Sequence, residues 1–254
     1  KPIVFQTCGD LHTDYLEYKI AQDGVVSNIE FETLLRAIYY QSYVTASAEW
    51  YSESVFRLSK NKLPHQHYDI HNATKDIQTH FTFTKLEEEH CIKILREYDI
   101  TNFENLVCFI NRDNAYYRDQ NPMHVIEKET FRNTPLKLLL PSIIGLSNSG
   151  YTCVRMGAKA SEPIKNVNDN LIDYSMNGMR SEILDLFLIS KCKFFISTVT
   201  GLDSVACMFR KPTLFLNCSA FGQVQISPNV KLFIPKYCYD KNKGRVLTFT
   251  EIFK

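Results

Sequence analysis

The chain has 254 residues, 44% of them apolar and 22% charged, with 29 Lys and Arg against 28 Asp and Glu for a formal charge of +1. That length holds one large or two small domains, and the apolar share is enough for a packed core, which excludes a disordered chain. The near-neutral balance argues against nucleic acid as partner, because phosphate backbones are bound by clustered surplus cations. It leaves room for a local basic pocket that takes one anionic ligand.

Residues 1–80 are irregular, with a short strand expected at Ile3-Val4-Phe5, a helix over Ile29 to Tyr43 and a loop from Lys60 to Asn72. This part reads as a linker, or the remnant of an amino-terminal acceptor-side domain. His65, His67 and His71 have metal-like spacing but fall in a polar loop between Pro64 and Asn72, which favours solvated side chains.

From residue 81 the pattern becomes regular. Thr84-Lys85-Leu86-Glu87 is a capping box, and Cys91, Ile94, Leu95 and Tyr98 behind it form one apolar helix face. Leu106 to Ile110 reads as a buried strand. A helix follows between Thr134 and Asn148, with Pro135 or Pro141 in its first turn and Gly150 closing it. Tyr151 to Met156 and Leu171 to Asp173 are the next strands, and Arg180 to Lys191 is an apolar helix interrupted by Asp185. Then come a strand at Lys193 to Ser197, a helix at Gly201 to Phe209, a strand at Pro212 to Asn217 and a strand-like Val246 to Phe249. Strands alternating with helices predict parallel βαβ units. The expected fold over 81–254 is α/β, a Rossmann-like parallel sheet with helices on both faces.

The eight cysteines lie far apart in sequence and several sit in apolar runs, so free thiols, a reducing compartment and no zinc knuckle are expected. The glycosylation sequons at Asn72 and Asn217 are then chance matches. No apolar run reaches the roughly 18–20 residues that span a bilayer. Both ends read as cut, so a targeting signal or anchor can lie outside the chain.

Three strand ends carry candidate chemistry. In the run Phe194 to Ala206 a buried strand ends in Ser197, Thr198 and Thr200, then Gly201 and Leu202 open a helix whose unpaired amides favour an anion. An ordinary strand–loop–helix junction capped by Thr200 has the same pattern. Phe109-Ile110-Asn111-Arg112-Asp113 ends in a guanidinium suited to phosphate, or in an Arg paired with Asp113. Val154-Arg155-Met156-Gly157 repeats the strand-to-Arg element. In a parallel sheet these ends converge, so Arg112 and Arg155 with the Ser197–Gly201 loop predict a pocket sized for a diphosphate. Asp173, Tyr174 and Ser175 add groups for a nucleoside or sugar. Asp185 is read either as partner of an Arg or amide, or as part of an exposed face shared with Glu182. No two aspartates lie two positions apart, so no Asp-x-Asp metal bridge for a diphosphate is present, and no Walker loop or Gly-x-Ser-x-Gly elbow occurs.

In order, Cys108 to Asp113 with Tyr116, Arg132-Asn133, Gly150-Tyr151, Val154 to Gly157, Ile172 to Ser175, Arg180-Ser181, Asp185, Cys192 to Ser197, Thr200 to Leu202, Lys211 to Thr213 and Asn217 resemble a family of bacterial surface-polysaccharide glycosyltransferases. More distantly, the strand-to-Arg element is similar to the first motif of fucosyltransferases, and Ser197 to Pro212 to the nucleotide-facing segment of heptosyltransferases. Where those families often carry two basic residues or a His, this chain has only Asn111-Arg112. The resemblance implies the carboxyl-terminal, donor-binding half of a twin-Rossmann (GT-B-like) glycosyltransferase. It implies a nucleotide-diphosphate sugar donor, no metal or other cofactor, a glycan or lipid-linked acceptor, and no nucleic acid. The implied location is cytoplasmic, at the inner face of the membrane if regions outside this chain attach it there. The implied donor-binding residues are Arg112, Tyr116, Arg155, Gly157, Asp173, Tyr174, Ser197, Thr198, Thr200, Gly201 and Leu202, with Arg112 and Asp113 catalytic. Asp113, near the cleft, is the candidate general base; the alternatives are that it pairs with an Arg or that the base comes from an amino-terminal domain. The alternatives are a sugar-nucleotide epimerase of the same fold and a non-catalytic nucleotide-binding module.

Overall fold

A computed structural model describes residues 79, 81–118, 130–165, 168–219 and 229–252. The expectations for Ile3–Phe5, Ile29–Tyr43 and the His65–His71 loop lie outside these residues.

The domain is built on a six-stranded sheet comprising β1 (Leu106–Phe109), β2 (Thr152–Arg155), β3 (Leu171–Ile172), β4 (Phe194–Ser197), β5 (Thr213–Cys218) and β6 (Val230–Pro235). The strand order is β3-β2-β1-β4-β5-β6, and every pairing is parallel. β1 is central and all four of its residues are buried, as a parallel strand covered on both faces requires. The pleat sends Leu106, Cys108 and Ile110 into one core and Val107 and Phe109 into the other.

Helices α1 (Lys85–Arg96), α4 (Glu182–Lys191) and α5 (Leu202–Met208) pack on the first face, and α3 (Leu136–Asn148) on the second. The single turn α2 (Ala115–Arg118) follows β1 directly. β1-α3-β2 steps one way along the sheet and β4-α5-β5 the other. Their helices lie on opposite faces, as a single crossover hand demands.

Local signals explain most boundaries. In α1 the Thr84 hydroxyl accepts from the Glu87 amide at 3.3 Å, and the Glu87 carboxylate accepts from the Thr84 amide at 2.6 Å. Such a cap contributes about 1 kcal/mol. Cys91 and Leu95 are buried on its inner face, but the helix ends at Arg96 and leaves Tyr98 exposed. Phe81 meets Phe83 and Phe209 edge-on at 5.1 and 5.4 Å, and Phe83 meets Phe187 at 5.2 Å, sealing α1 against α4 and α5. In α3, Pro135 is the N-cap, Pro141 sits inside the helix rather than in its first turn, and Gly150 takes φ +86° just beyond its end.

Asp185 is buried in α4, where its Oδ2 accepts from Arg180 Nε at 3.1 Å and Nη2 at 2.8 Å, so it is an Arg partner and not part of an exposed face. The described cysteines are all free. Two further departures lie towards the carboxyl end. β6 is an edge strand with Lys231, Leu232 and Ile234 exposed, and it is not among the expected strands. The stretch expected as a strand at 246–249 is divided: Arg245–Val246 (β8) pairs antiparallel with Tyr239–Asp240 (β7), and Phe249–Ile252 forms a helical turn, α6. There Glu251 accepts from the Thr248 amide at 3.0 Å and pairs with Arg245 at 2.7 Å, which favours the turn over continued pairing. Among the described residues no helix is long and apolar enough to cross a membrane.

Candidate functional site

In a sheet of this order, successive connections leave β1 and β4 in opposite directions and open a crevice beyond their carboxyl ends. The backbone there is tied across the crevice. Arg112 donates its N–H to Thr198 Oγ1 at 2.7 Å, and its carbonyl accepts from the Thr134 amide at 2.9 Å. A cleft of about 200 Å³ opens beside it, between Asn111–Asp113 at the end of β1, Asn133–Leu136 at the start of α3, and Ser161–Glu162 of the loop after β2. Drug-sized ligand pockets run from roughly 300 to 1,000 Å³, so this space suits a phosphate or diphosphate group and not a whole nucleotide sugar.

The expected residues divide into three sets. Arg112 and Asp113 line the cleft, and Tyr116 stands half-buried in α2. Both Asp113 oxygens hold backbone: Oδ1 accepts from the Ala115 amide and Oδ2 from the Ser161 amide, each at 2.8 Å. That arrangement fixes the cleft wall and occupies the group expected as general base.

Arg155, Gly157 and Asp173 form the second set, beneath the cleft. Arg155 is only 1% exposed. Its Nε donates to Asn111 Oδ1 at 3.2 Å and its Nη1 to the Glu162 carbonyl at 2.7 Å, with Asp173 at 3.5 Å and Asp113 at 3.9 Å. The guanidinium expected on a phosphate is therefore an internal brace that joins β1, β2, β3 and the loop after β2. Asp173 accepts from the Ile164 amide at 2.8 Å and the Ser175 hydroxyl at 2.7 Å, holding the same loop from its other end. Gly157, at φ +129°, adopts a backbone that L side chains rarely take. Tyr174, expected near a nucleoside, is fully buried in the core, and its hydroxyl donates to the Ser181 carbonyl at 3.0 Å. Burial, with Asp185 nearby, pushes its phenol well above the ordinary range.

The β4–α5 loop makes the third set. Ser197 and Thr198 are buried, Thr200 and Leu202 are half-buried, and Gly201 is exposed. This loop adjoins the cleft through Thr198 but does not line it. Gly201, not Thr200, is the N-cap of α5. Between Thr198 and Thr200, Val199 sits at φ +67°, a left-handed conformation that is strained for a β-branched residue. Asp203 holds the loop, its Oδ2 accepting from the Thr200 amide at 2.8 Å and its Oδ1 from the Thr200 hydroxyl at 3.3 Å. Burial pushes the Asp203 carboxyl up to about 7, against lowering contributions from hydrogen bonds of Ser197 and Thr200 and from the charge of Arg132.

One part of the site is absent from the residue-by-residue expectations. Thr130–Arg132 is a 3-10 turn, and Asn133 and Thr134 continue it as a strap along the carboxyl edge of the sheet. Asn111 Nδ2 donates to the Thr134 carbonyl at 3.2 Å and Asn217 Nδ2 to the Thr134 hydroxyl at 3.0 Å. Lys236, past the end of β6, donates to the Phe131 carbonyl at 2.7 Å and the Asn133 carbonyl at 2.6 Å. Arg132-Asn133 stood out in the sequence only as part of the resemblance. A tie from Lys236 leaves no local sequence signal.

Among the described residues no group of three His, Cys, Asp or Glu side chains is placed to hold a metal ion. Compared with models of protein families, with curated proteins and with solved structures, the chain matches none.

Proposed function

We propose that this domain binds the donor of a metal-independent glycosyltransferase, a nucleotide-diphosphate sugar, as the carboxyl-terminal half of a GT-B-like enzyme of cell-surface glycan synthesis. The reading rests on one observation above all. The cleft at the β1 end of the crevice, of a volume suited to phosphate, is lined by Arg112, whose backbone is fixed on both sides by Thr198 and Thr134.

A diphosphate leaving group gains negative charge as the glycosidic bond breaks. A guanidinium carried on a backbone fixed at this edge stabilises that charge more in the transition state than in the ground state. Arg155 and Asp173 act here as supports beneath the cleft. The acceptor's proton goes to a base other than Asp113, whose oxygens hold the cleft wall.

The occupied Asp113 favours, as a second reading, a nucleotide-binding module without transfer activity. Titration calorimetry with uridine, guanosine and cytidine diphosphates tests the pocket. Arg112→Ala is expected to weaken the bound nucleotide by about 1.5–3 kcal/mol, the range for a charged hydrogen bond. Equal affinity in the variant, or no binding by the wild type, rejects the reading. Product analysis with sugar nucleotides then separates transfer from epimerisation and from binding alone.

A further inference from the structure

Arg112 hangs between two walls. Its N–H is held by Thr198 of the β4–α5 loop and its carbonyl by Thr134 of the strap, so the position of its side chain depends on how those two segments sit against each other. Asp203 holds the first of these. It accepts from the Thr200 amide at 2.8 Å and the Thr200 hydroxyl at 3.3 Å, two residues along the loop from Thr198. The loop is strained at Val199, and such a conformation persists only where surrounding bonds over-determine it. Asp203 supplies two of those bonds.

We propose that Asp203 is the positioning residue of the site: its carboxylate holds the β4–α5 loop, whose Thr198 accepts the Arg112 N–H, and thereby sets Arg112 in the cleft. The inference rests on the reading of the cleft as a diphosphate site only for its binding arm. The charged or titratable groups acting on Asp203 are Arg132 and the thiol of Cys218, which itself faces Lys236. Burial places the Asp203 carboxyl at about 7, so its charge is lost as the pH falls through neutrality. The ionised form accepts from Thr200 through both oxygens; the protonated form has one acceptor site fewer.

Hydrogen exchange on the full chain, wild type against Asp203→Asn, tests the coupling without any ligand. At about pH 8, where Asp203 is ionised, the Arg112 and Thr134 amides should exchange roughly tenfold faster in the variant, while the amides of β1, β2 and β4 keep their protection. Unchanged exchange at Arg112 and Thr134, or a uniform loss across the sheet, overturns the proposal. The binding arm uses UDP-glucose and GDP-mannose, whose phosphodiesters carry constant charge from about pH 5.5 to 8.5. Wild-type affinity should fall several-fold as the pH drops through about 7, and Asp203→Asn should bind weakly and without that dependence. A pH-independent wild type, or a variant that follows the wild-type profile, overturns the role of Asp203 and leaves the diphosphate reading standing. If the wild type binds neither sugar nucleotide, the diphosphate reading fails, and amide exchange still decides the role of Asp203.

Discussion

Replacing Arg155 with Met removes the charge and keeps most of the volume. Two hydrogen bonds disappear, to Asn111 Oδ1 and to the Glu162 carbonyl. Each bond to a charged group contributes about 1.5–3 kcal/mol. Asp173 and Asp113 also lose the cation between them; their side chains are 14% and 18% exposed, so water does not fully replace it. Both carboxylates keep other donors, the Ile164 amide and Ser175 hydroxyl for one and the Ala115 and Ser161 amides for the other. The net loss is therefore placed at about 3–5 kcal/mol, the range for breaking a buried pair from one side. Urea unfolding followed by circular dichroism should show a lower midpoint at an unchanged slope, and thermal unfolding a fall of roughly 10 °C. Arg155→Lys should recover less than half, because an ammonium lacks the fork that reaches Asn111 and Glu162 together. A loss under about 1 kcal/mol, accompanied by loss of nucleotide affinity, would refute the reasoning and return Arg155 to the ligand, where the sequence pattern put it.

Val199→Gly should be at least as stable as Val199→Ala in urea titrations, reversing the usual penalty of roughly 0.5–1 kcal/mol for glycine, because only glycine relieves the positive φ; an alanine variant more stable by that penalty would deny the strain. Asp203 is raised to about 7 and Asp185 to about 6, chiefly by burial, so the folded state holds these protons more tightly than the unfolded chain. Their contribution to stability is full below about pH 4 and declines as the pH rises through 6 to 7. Asp203→Asn should then gain stability relative to wild type between about pH 4 and 8, by a few kcal/mol at most, and parallel curves would contradict the burial. Nucleotide binding and any sugar transfer should be unchanged by EDTA; a loss restored by manganese would contradict a metal-independent site.

The regular elements were legible because their causes are local. The reciprocal cap at Thr84 and Glu87 begins α1, unbroken apolar runs make β1 and β4 strands buried on both faces, and Gly150 ends α3 with a positive φ. Alternation of strands with helices was sufficient for a parallel α/β sheet. β6 was not legible, since an edge strand with exposed Lys231 and a terminal Pro235 carries the marks of a loop. The hydroxyl and Arg residues at the ends of β1, β2 and β4 were visible as chemistry, and the sheet order does bring those ends to one edge.

By itself the sequence determined the order of the elements, which of their faces are apolar and which strand ends carry polar groups, because each depends on neighbours a few positions away. Only the tertiary structure decided which of two similar arginines lines the cleft. Arg112 and Arg155 end adjacent strands in the same pattern, but Asn111, 44 positions from Arg155, and the loop bearing Glu162 enclose one of them. The ties around the cleft were decided in the same way, the strap by Lys236 reaching Asn133 across 103 positions and the end of β1 by Thr198 reaching Arg112 across 86. Whether a buried arginine is braced by carboxylates and carbonyls or lines a cleft is set by partners that the sheet order brings together, and local pattern along the chain carries no record of them.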